Sequence, residues 1–221
     1  MGTQTADLTV AVQDYLKAIY ALEAAGERVT TSALAARMGV SAPSATAMTK
    51  RLAELDLVER APYRGVALTE KGRLGALEVL RHHRLLELYL VNRLGLSWDE
   101  VHAEAELLEH ALSEELEAKI DAELGFPTHD PHGDPIPDRE LRVTTAGGST
   151  LLDVVPGARA SVSRVPDGDP DLLRYLAELG LVPGANVEVV SQAPYGGPVT
   201  VRTGHGDHAI SRELADRIAA A

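Results

Sequence analysis

The 221-residue sequence contains no cysteine. Disulfide staples, thiolate zinc sites and iron–sulfur clusters are therefore excluded, and any metal has to be held by nitrogen and oxygen ligands. No apolar run approaches the roughly 18 residues that a membrane span needs. Met1 to Asp7 carries neither a basic region nor an apolar segment behind it, so a cytoplasmic protein without a membrane partner is expected. There is no internal repeat, and although Ser, His and Asp are all present, no Gly-x-Ser-x-Gly elbow marks a nucleophile. Positive charge is also short, with 21 Lys and Arg against 33 Asp and Glu and a net charge of -12.

What is present is uneven. Residues 1–75 carry 9 basic and 8 acidic side chains, residues 76–145 carry 6 and 16, and residues 146–221 carry 6 and 9, so the nets are +1, -10 and -3. The acidic excess lies in the middle third, and a DNA-binding N-terminal third stays open because local charge, not the total, governs phosphate contact. The 45% hydrophobic content supports packed cores in one large domain or two to three small ones.

The middle third holds the chemistry. In the run from Val101 to His110, Glu106, Glu109 and His110 stand at i, i+3 and i+4 and share one face of a helix. His83 and Glu87 repeat the i, i+4 spacing upstream, and His102 precedes Glu106 by one turn. That arrangement of imidazoles and carboxylates suits a divalent metal. His82 reads as a solvated neighbour, and His129, His132, His205 and His208 as loop histidines.

Along the chain, apolar Val10, Tyr15, Ile19, Tyr20 and Leu22 predict a first helix over 10–25, stopped by Gly26. Thr31-Ser32 caps an Ala-rich segment that ends at Gly39, and Ser41 opens a further helix, 42–55, with Pro43 in its first turn. This is helix-turn-helix order. The alternating stretch from Leu57 to Thr69, with Tyr63-Arg64-Gly65 at its tip, predicts a β-wing. Ser41, Pro43, Ser44 and Thr46 are the candidates for base contact, and Lys50, Arg51, Arg60 and Arg64 for the phosphate backbone. Helices follow over 70–94, from Trp98 to about His110, and from Ser113 to Glu123. Amphipathic helices after a winged helix pair two chains, so a homodimer is expected. Pro-rich residues 128–137 and the step Ala146-Gly147-Gly148-Ser149 read as linkers. Beyond them, strands over 160–165, 186–191 and 198–203, a helix over 171–179 and a closing segment over 211–220 predict a small SH3-like barrel. The fold class is mostly α with β: a winged helix-turn-helix in 1–75, a helical dimerisation domain in 76–145 and an SH3-like β-barrel in 146–221.

Several stretches together carry a resemblance: residues 13–20, Val40-Ser41-Ala42-Pro43-Ser44, residues 63–72, the His83 helix, residues 106–110, His132-Gly133-Asp134-Pro135-Ile136-Pro137, and Leu179-Gly180-Leu181-Val182-Pro183-Gly184. The sequence resembles the diphtheria-toxin-repressor family of metal-activated transcriptional repressors over nearly its whole length. The resemblance implies a dimer that binds a palindromic double-stranded DNA operator when divalent metal occupies two sites per subunit. It assigns Asp14, Glu106, Glu109 and His110 to the primary site, and His83, Glu87 and His102 to the ancillary site, with Asp169 as a further ancillary candidate. The iron-responsive branch has a Met and a Cys at the positions of Asp14 and Glu106; the two carboxylates here resemble the manganese-responsive members. Carboxylate-rich sites suit Mn(II), so Mn(II) is the expected ion and Fe(II) the second. Compact manganese regulators without the barrel carry a Glu at the position of Lys17, a point at which this chain departs from them. An iron-dependent regulator of the same family is the alternative. A metal-dependent hydrolase is a distant rival, because Glu106-x-x-Glu109-His110 matches His-x-x-Glu-His only loosely and no general base is evident; no enzyme activity is expected.

Overall fold

The computed structural model describes residues 8–61, 65–143 and 148–221. The chain divides into two compact units, Met1–His83 with Leu108–Ala118 and Pro137–Arg142, and Arg84–Leu107 with Lys119–Ile136 and Val143–Ala221.

In the first unit, α1 (Val10–Ala24) buries Val12, Tyr15, Leu16, Ile19 and Leu22 along one stripe, the three-to-four residue spacing of an amphipathic helix. Helix α2 (Thr31–Arg37) is capped by Thr30, whose side chain accepts from the Ala33 N–H at 3.1 Å, one residue earlier than the sequence suggests. Gly39, at φ +63°, turns the chain into α3 (Ala42–Glu54), where Ser41 caps the start and Pro43 occupies the first turn. Strands β1 (Val58–Ala61) and β2 (Gly65–Leu68) pair antiparallel from Val58 with Leu68 to Ala61 with Gly65. Gly65 is needed there: at φ +91° a Cβ would lie 2.0 Å from the Val29 carbonyl oxygen. Leu16, Ile19, Leu34, Ala45, Leu52 and Leu57 form the centre of this core, each large aliphatic side chain contributing about 1.5–3 kcal/mol.

Helix α4 (Glu70–Tyr89) runs from the first unit into the second and gives way to a π-turn over Leu90–Leu94, closed by left-handed Gly95. One α-helix through Leu94 is thus corrected to an α-helix with a widened last turn. Helix α5 is shorter than its apolar pattern predicts, Val101–Leu108, and tightens into a 3₁₀ turn over Glu109–Ala111. Helix α6 spans Glu114–Glu123.

The rest of the second unit is an antiparallel six-stranded sheet in the order β3-β8-β4-β5-β6-β7. Its elements are β3 (Ser149–Thr150), β4 (Arg159–Arg164), α7 (Pro170–Leu179), β5 (Asn186–Gln192), β6 (Val199–Thr203), β7 (Gly206–Ile210), α8 (Arg212–Arg217) and β8 (Ala219–Ala220). Val187 and Val189 on β5, and Val199 and Val201 on β6, alternate inward and meet Leu173, Leu176 and Ile218, the period-two pattern of a half-buried sheet. Strand β7 corrects the loop expected around His205 and His208: His205 lies in the turn, but Gly206 begins the strand and His208 pairs with Val201.

The Pro-rich stretch is pinned despite its linker composition. The Val165 N–H donates to the His132 carbonyl at 3.0 Å, and Gly133, at φ +89°, lies so close to β4 that a Cβ would meet the Ser163 oxygen at 2.0 Å.

Candidate metal centre and DNA interface

In the first unit, Asp14 on α1 meets Glu109 and His110 on the 3₁₀ turn, with one ligand-capable atom from each within 4.8 Å of the others. His110 Nε2 is 2.9 Å from Asp14 Oδ1 and 3.5 Å from Glu109 Oε1. The ring is held from behind, because its Nδ1–H donates to Gln13 Oε1 at 2.6 Å, which leaves the Nε2 lone pair facing Asp14. A second partner that fixes tautomer and ring angle is characteristic of ion-ligating imidazoles. Gln13 has no charge and no metal-ligand signature, so nothing in the sequence marks it.

Glu109, whose side chain is fully buried, gathers three donors. Lys17 Nζ lies 2.7 and 2.9 Å from its two oxygens, and His83 Nδ1 lies 2.5 Å from Oε2. The His82 Nδ1–H donates to the Glu109 carbonyl at 3.1 Å. His82 is therefore buried rather than solvated, with Nε2 3.1 Å from Glu117 Oε2. Burial works against its imidazolium, but Glu117 outweighs it and the pKa rises above the ordinary value.

In the second unit, Glu87 is completely buried and its Oε1 is 3.1 Å from His102 Nδ1, while His102 Nε2 is 3.7 Å from Glu106 Oε1. Glu87 also faces a group that the sequence spacing does not mark. Asp130 and His132, both buried, bring ligand-capable atoms within 4.8 Å of it and of one another. The His132 Nε2–H donates to the Trp98 carbonyl at 2.7 Å, and the two rings stack at 5.6 Å. His132 Nδ1 lies 3.8 Å from Glu87 Oε2. Among the described residues, buried His132 Nδ1 has no hydrogen-bond partner, and Asp130 Oδ2 has only the Arg84 Nε ion pair at 3.5 Å. Burial, reinforced by Asp134 and Glu87, pushes the Asp130 pKa up to about 7. Burial opposes protonation of His132, yet Glu87 raises its pKa to about 9. Two carboxylates and an imidazole whose Nδ1 lacks a hydrogen bond fit a hard divalent cation. The one signal in the sequence was three polar residues, Asp130, His132 and Asp134, set two apart among prolines. Asp169 stands apart from these groups and caps α7, accepting from the Asp171 and Leu172 N–H groups at 3.0 and 3.4 Å.

Comparison with known proteins accounts for the combination. Family models match in series: the iron dependent repressor N-terminal DNA-binding domain at residues 7–66, the iron dependent repressor metal-binding and dimerisation domain at 69–138, and the FeoA domain at 149–220. The iron-dependent repressor IdeR of Mycobacterium tuberculosis is 35% identical over 96% of this chain and 97% of its own length. The chain belongs to the diphtheria-toxin-repressor family. The diphtheria toxin repressor of Corynebacterium diphtheriae is 29% identical over 96% of this chain. Among solved structures, a manganese-dependent transcriptional repressor in complex with manganese superposes with TM-score 0.86 at 42% identity, covering 95% of this chain and 98% of that one. The manganese regulator SloR gives 0.78 at 32% identity, covering 95% and 97%. These relatives are metal-dependent repressors and not enzymes, so the hydrolase rival finds no support.

In this repressor-family chain the recognition-helix candidates form one exposed surface. Ser41, Pro43, Ser44, Thr46, Lys50 and Arg51 are all exposed on or at the start of α3, whose opposite side buries Ala45 and Leu52. Ser41 Oγ and Ser44 Oγ are 2.8 Å apart, and Thr46 Oγ1 donates to the Ala42 carbonyl at 2.9 Å. Arg60 falls on β1, in register with Val66; Arg64 lies outside the described residues. Among the described residues no helix is long and apolar enough to cross a membrane.

Proposed function

We propose that this chain is a manganese-responsive transcriptional repressor that binds a palindromic operator as a homodimer in the cytoplasm, with Fe(II) as a second activating ion. The observation that carries the reading is the meeting of Asp14, on the first helix of the winged-helix unit, with Glu109 and His110. Two carboxylates and an imidazole, with no sulfur, match the hard-ligand preference of Mn(II).

A divalent ion would be held by these three side chains and would supply positive charge between them; Glu106 is a further ligand only by the family resemblance. Asp14 thereby fixes α1, and with it the α3 surface, relative to the turn that carries Glu109 and His110. Gln13 keeps the His110 lone pair aimed inward, and Lys17 neutralises Glu109 before loading. A ligand preferring the DNA-competent state about 100-fold supplies roughly 2.7 kcal/mol of bias, enough to switch a marginal operator affinity. The second position centres on Glu87. The resemblance contributes His83 and His102 to it, and the buried Asp130 and His132 support a place for both; Asp169, engaged as a helix cap, is left out. Ser41, Pro43, Ser44 and Thr46 are proposed to read base edges, and Lys50, Arg51, Arg60 and Arg64 to hold phosphates. In this reading residues 1–75 bind DNA, 76–145 dimerise and 146–221 form the barrel.

The test is retention of labelled operator-containing fragments by chelator-stripped protein as Mn(II) is titrated. Retention should require Mn(II) and be lost in Asp14→Ala. Equal retention with and without metal, or an unaffected variant, overturns the reading.

A further inference from the structure

We propose that Glu78, His82 and Glu114 form an additional divalent-cation site, distinct from the two positions described above, whose ion shares a wall with the Asp14, Glu109 and His110 cluster. Glu78 and His82 stand one turn apart on α4, which puts both side chains on one face. Glu114 opens α6. One ligand-capable atom from each lies within 4.8 Å of the others. A cavity of about 360 Å³ opens over them and is lined also by Gln13, Glu109, His110 and Ser113. At about 30 Å³ per water, it has room for an ion and its remaining hydration shell.

The chemistry favours a cation. Glu78 and His82 are buried, and His82 Nε2, now 3.1 Å from Glu117 Oε2, is the ring nitrogen that an ion would take from Glu117 with loss of its proton. Arg81 pairs with that same Glu117, Nε on Oε1, and with the Pro137 carbonyl through Nη1, both at 2.7 Å, so Glu117 stays with Arg81 and is not counted among the ligands. The His82 ring is oriented by the Glu109 carbonyl through Nδ1, a backbone partner of the kind that fixes ligating imidazoles. A histidine with two carboxylates accommodates Mn(II), Fe(II) or Zn(II). Because the same His82 contact reaches the backbone of Glu109, an ion here stiffens the turn that carries two ligands of the neighbouring cluster, and the two positions load cooperatively.

The experiment uses the full-length chain carrying Asp14→Ala and Glu87→Gln, which disables both described positions, and counts bound Mn(II) by equilibrium dialysis and by anomalous diffraction at the manganese edge. The expected result is one retained Mn(II) per chain, beside His82. Adding Glu114→Gln, an exposed change that leaves the core intact, should lower the count by one; Glu78→Gln should do the same. No retained ion, or a count unchanged by either added substitution, overturns the proposal. Operator retention by the unmodified chain is read separately, so failure of the repressor reading and failure of this site are distinguishable.

Discussion

Replacing Lys17 by methionine keeps the length of the side chain and removes the charge that contacts both oxygens of Glu109, at 2.7 and 2.9 Å. The Glu109 side chain is completely inaccessible and that of Lys17 is 18% exposed, so the pair belongs to the buried class. There, removal of one partner costs about 3–5 kcal/mol because the other charge is stranded. His83, 2.5 Å from Glu109 Oε2, remains as a partner, which places the cost near the lower end, about 3 kcal/mol. For a chain of this size each kcal/mol lowers the melting temperature by roughly 2–4 °C, so stripped Lys17→Met should melt about 6–12 °C below the parent. A divalent ion on Glu109 takes over the lost neutralisation, and most of the deficit should vanish at saturating Mn(II). Freed from competition with the ammonium, Mn(II) should bind up to about 100-fold more tightly. Differential scanning calorimetry of stripped and loaded protein checks both statements. A stripped variant that melts within about 2 °C of the parent, or one that loses as much with Mn(II) as without, would refute the assignment of Lys17 as stand-in cation.

Gln13→Leu removes the partner of His110 Nδ1 and should weaken Mn(II) binding roughly 10–100-fold; calorimetric titration giving the parent affinity would show that the ring is aimed by something else. Gly133→Ala forces a Cβ against the Ser163 oxygen at a positive φ, so limited proteolysis within residues 129–137 should accelerate, and an unchanged cleavage rate counts against the pinned loop. Asp99 is held below the usual carboxylate range chiefly by its hydrogen bond from Arg174. Its contribution is therefore present above about pH 3.9 and lost as pH falls through the lowered value. The difference in melting temperature between the parent and Arg174→Ala should close in that acid window, and a difference that persists below it contradicts the sign.

The order of elements was readable because caps, glycine turns and apolar spacing act locally. Ser41 and Pro43 open α3, and β5 and β6 show their alternation directly in Val187, Val189, Val199 and Val201. Where helices end was less legible: the π-turn at Leu90 and the 3₁₀ turn at Glu109 depend on packing that the pattern does not encode. The same limit applies to the candidate site. Asp14, Glu109 and His110 do converge, but Gln13 and Lys17 complete the cluster from α1, more than ninety residues away in sequence. The role of His132 depends on Trp98 and Glu87, neither of them close to it along the chain, and its neighbourhood of prolines resembles a spacer.

That proline-flanked segment also bears on how such chains diversify. His132 hands its carbonyl to Val165 of the barrel while its ring covers the buried acid of α4. A descendant that shed the barrel would strip the support from the ring that faces Glu87 and leave that acid to be solvated by water instead. Loss of the C-terminal domain and a change in the surroundings of Glu87 are therefore coupled: a chain without the barrel keeps its acid but not the ring that faces it.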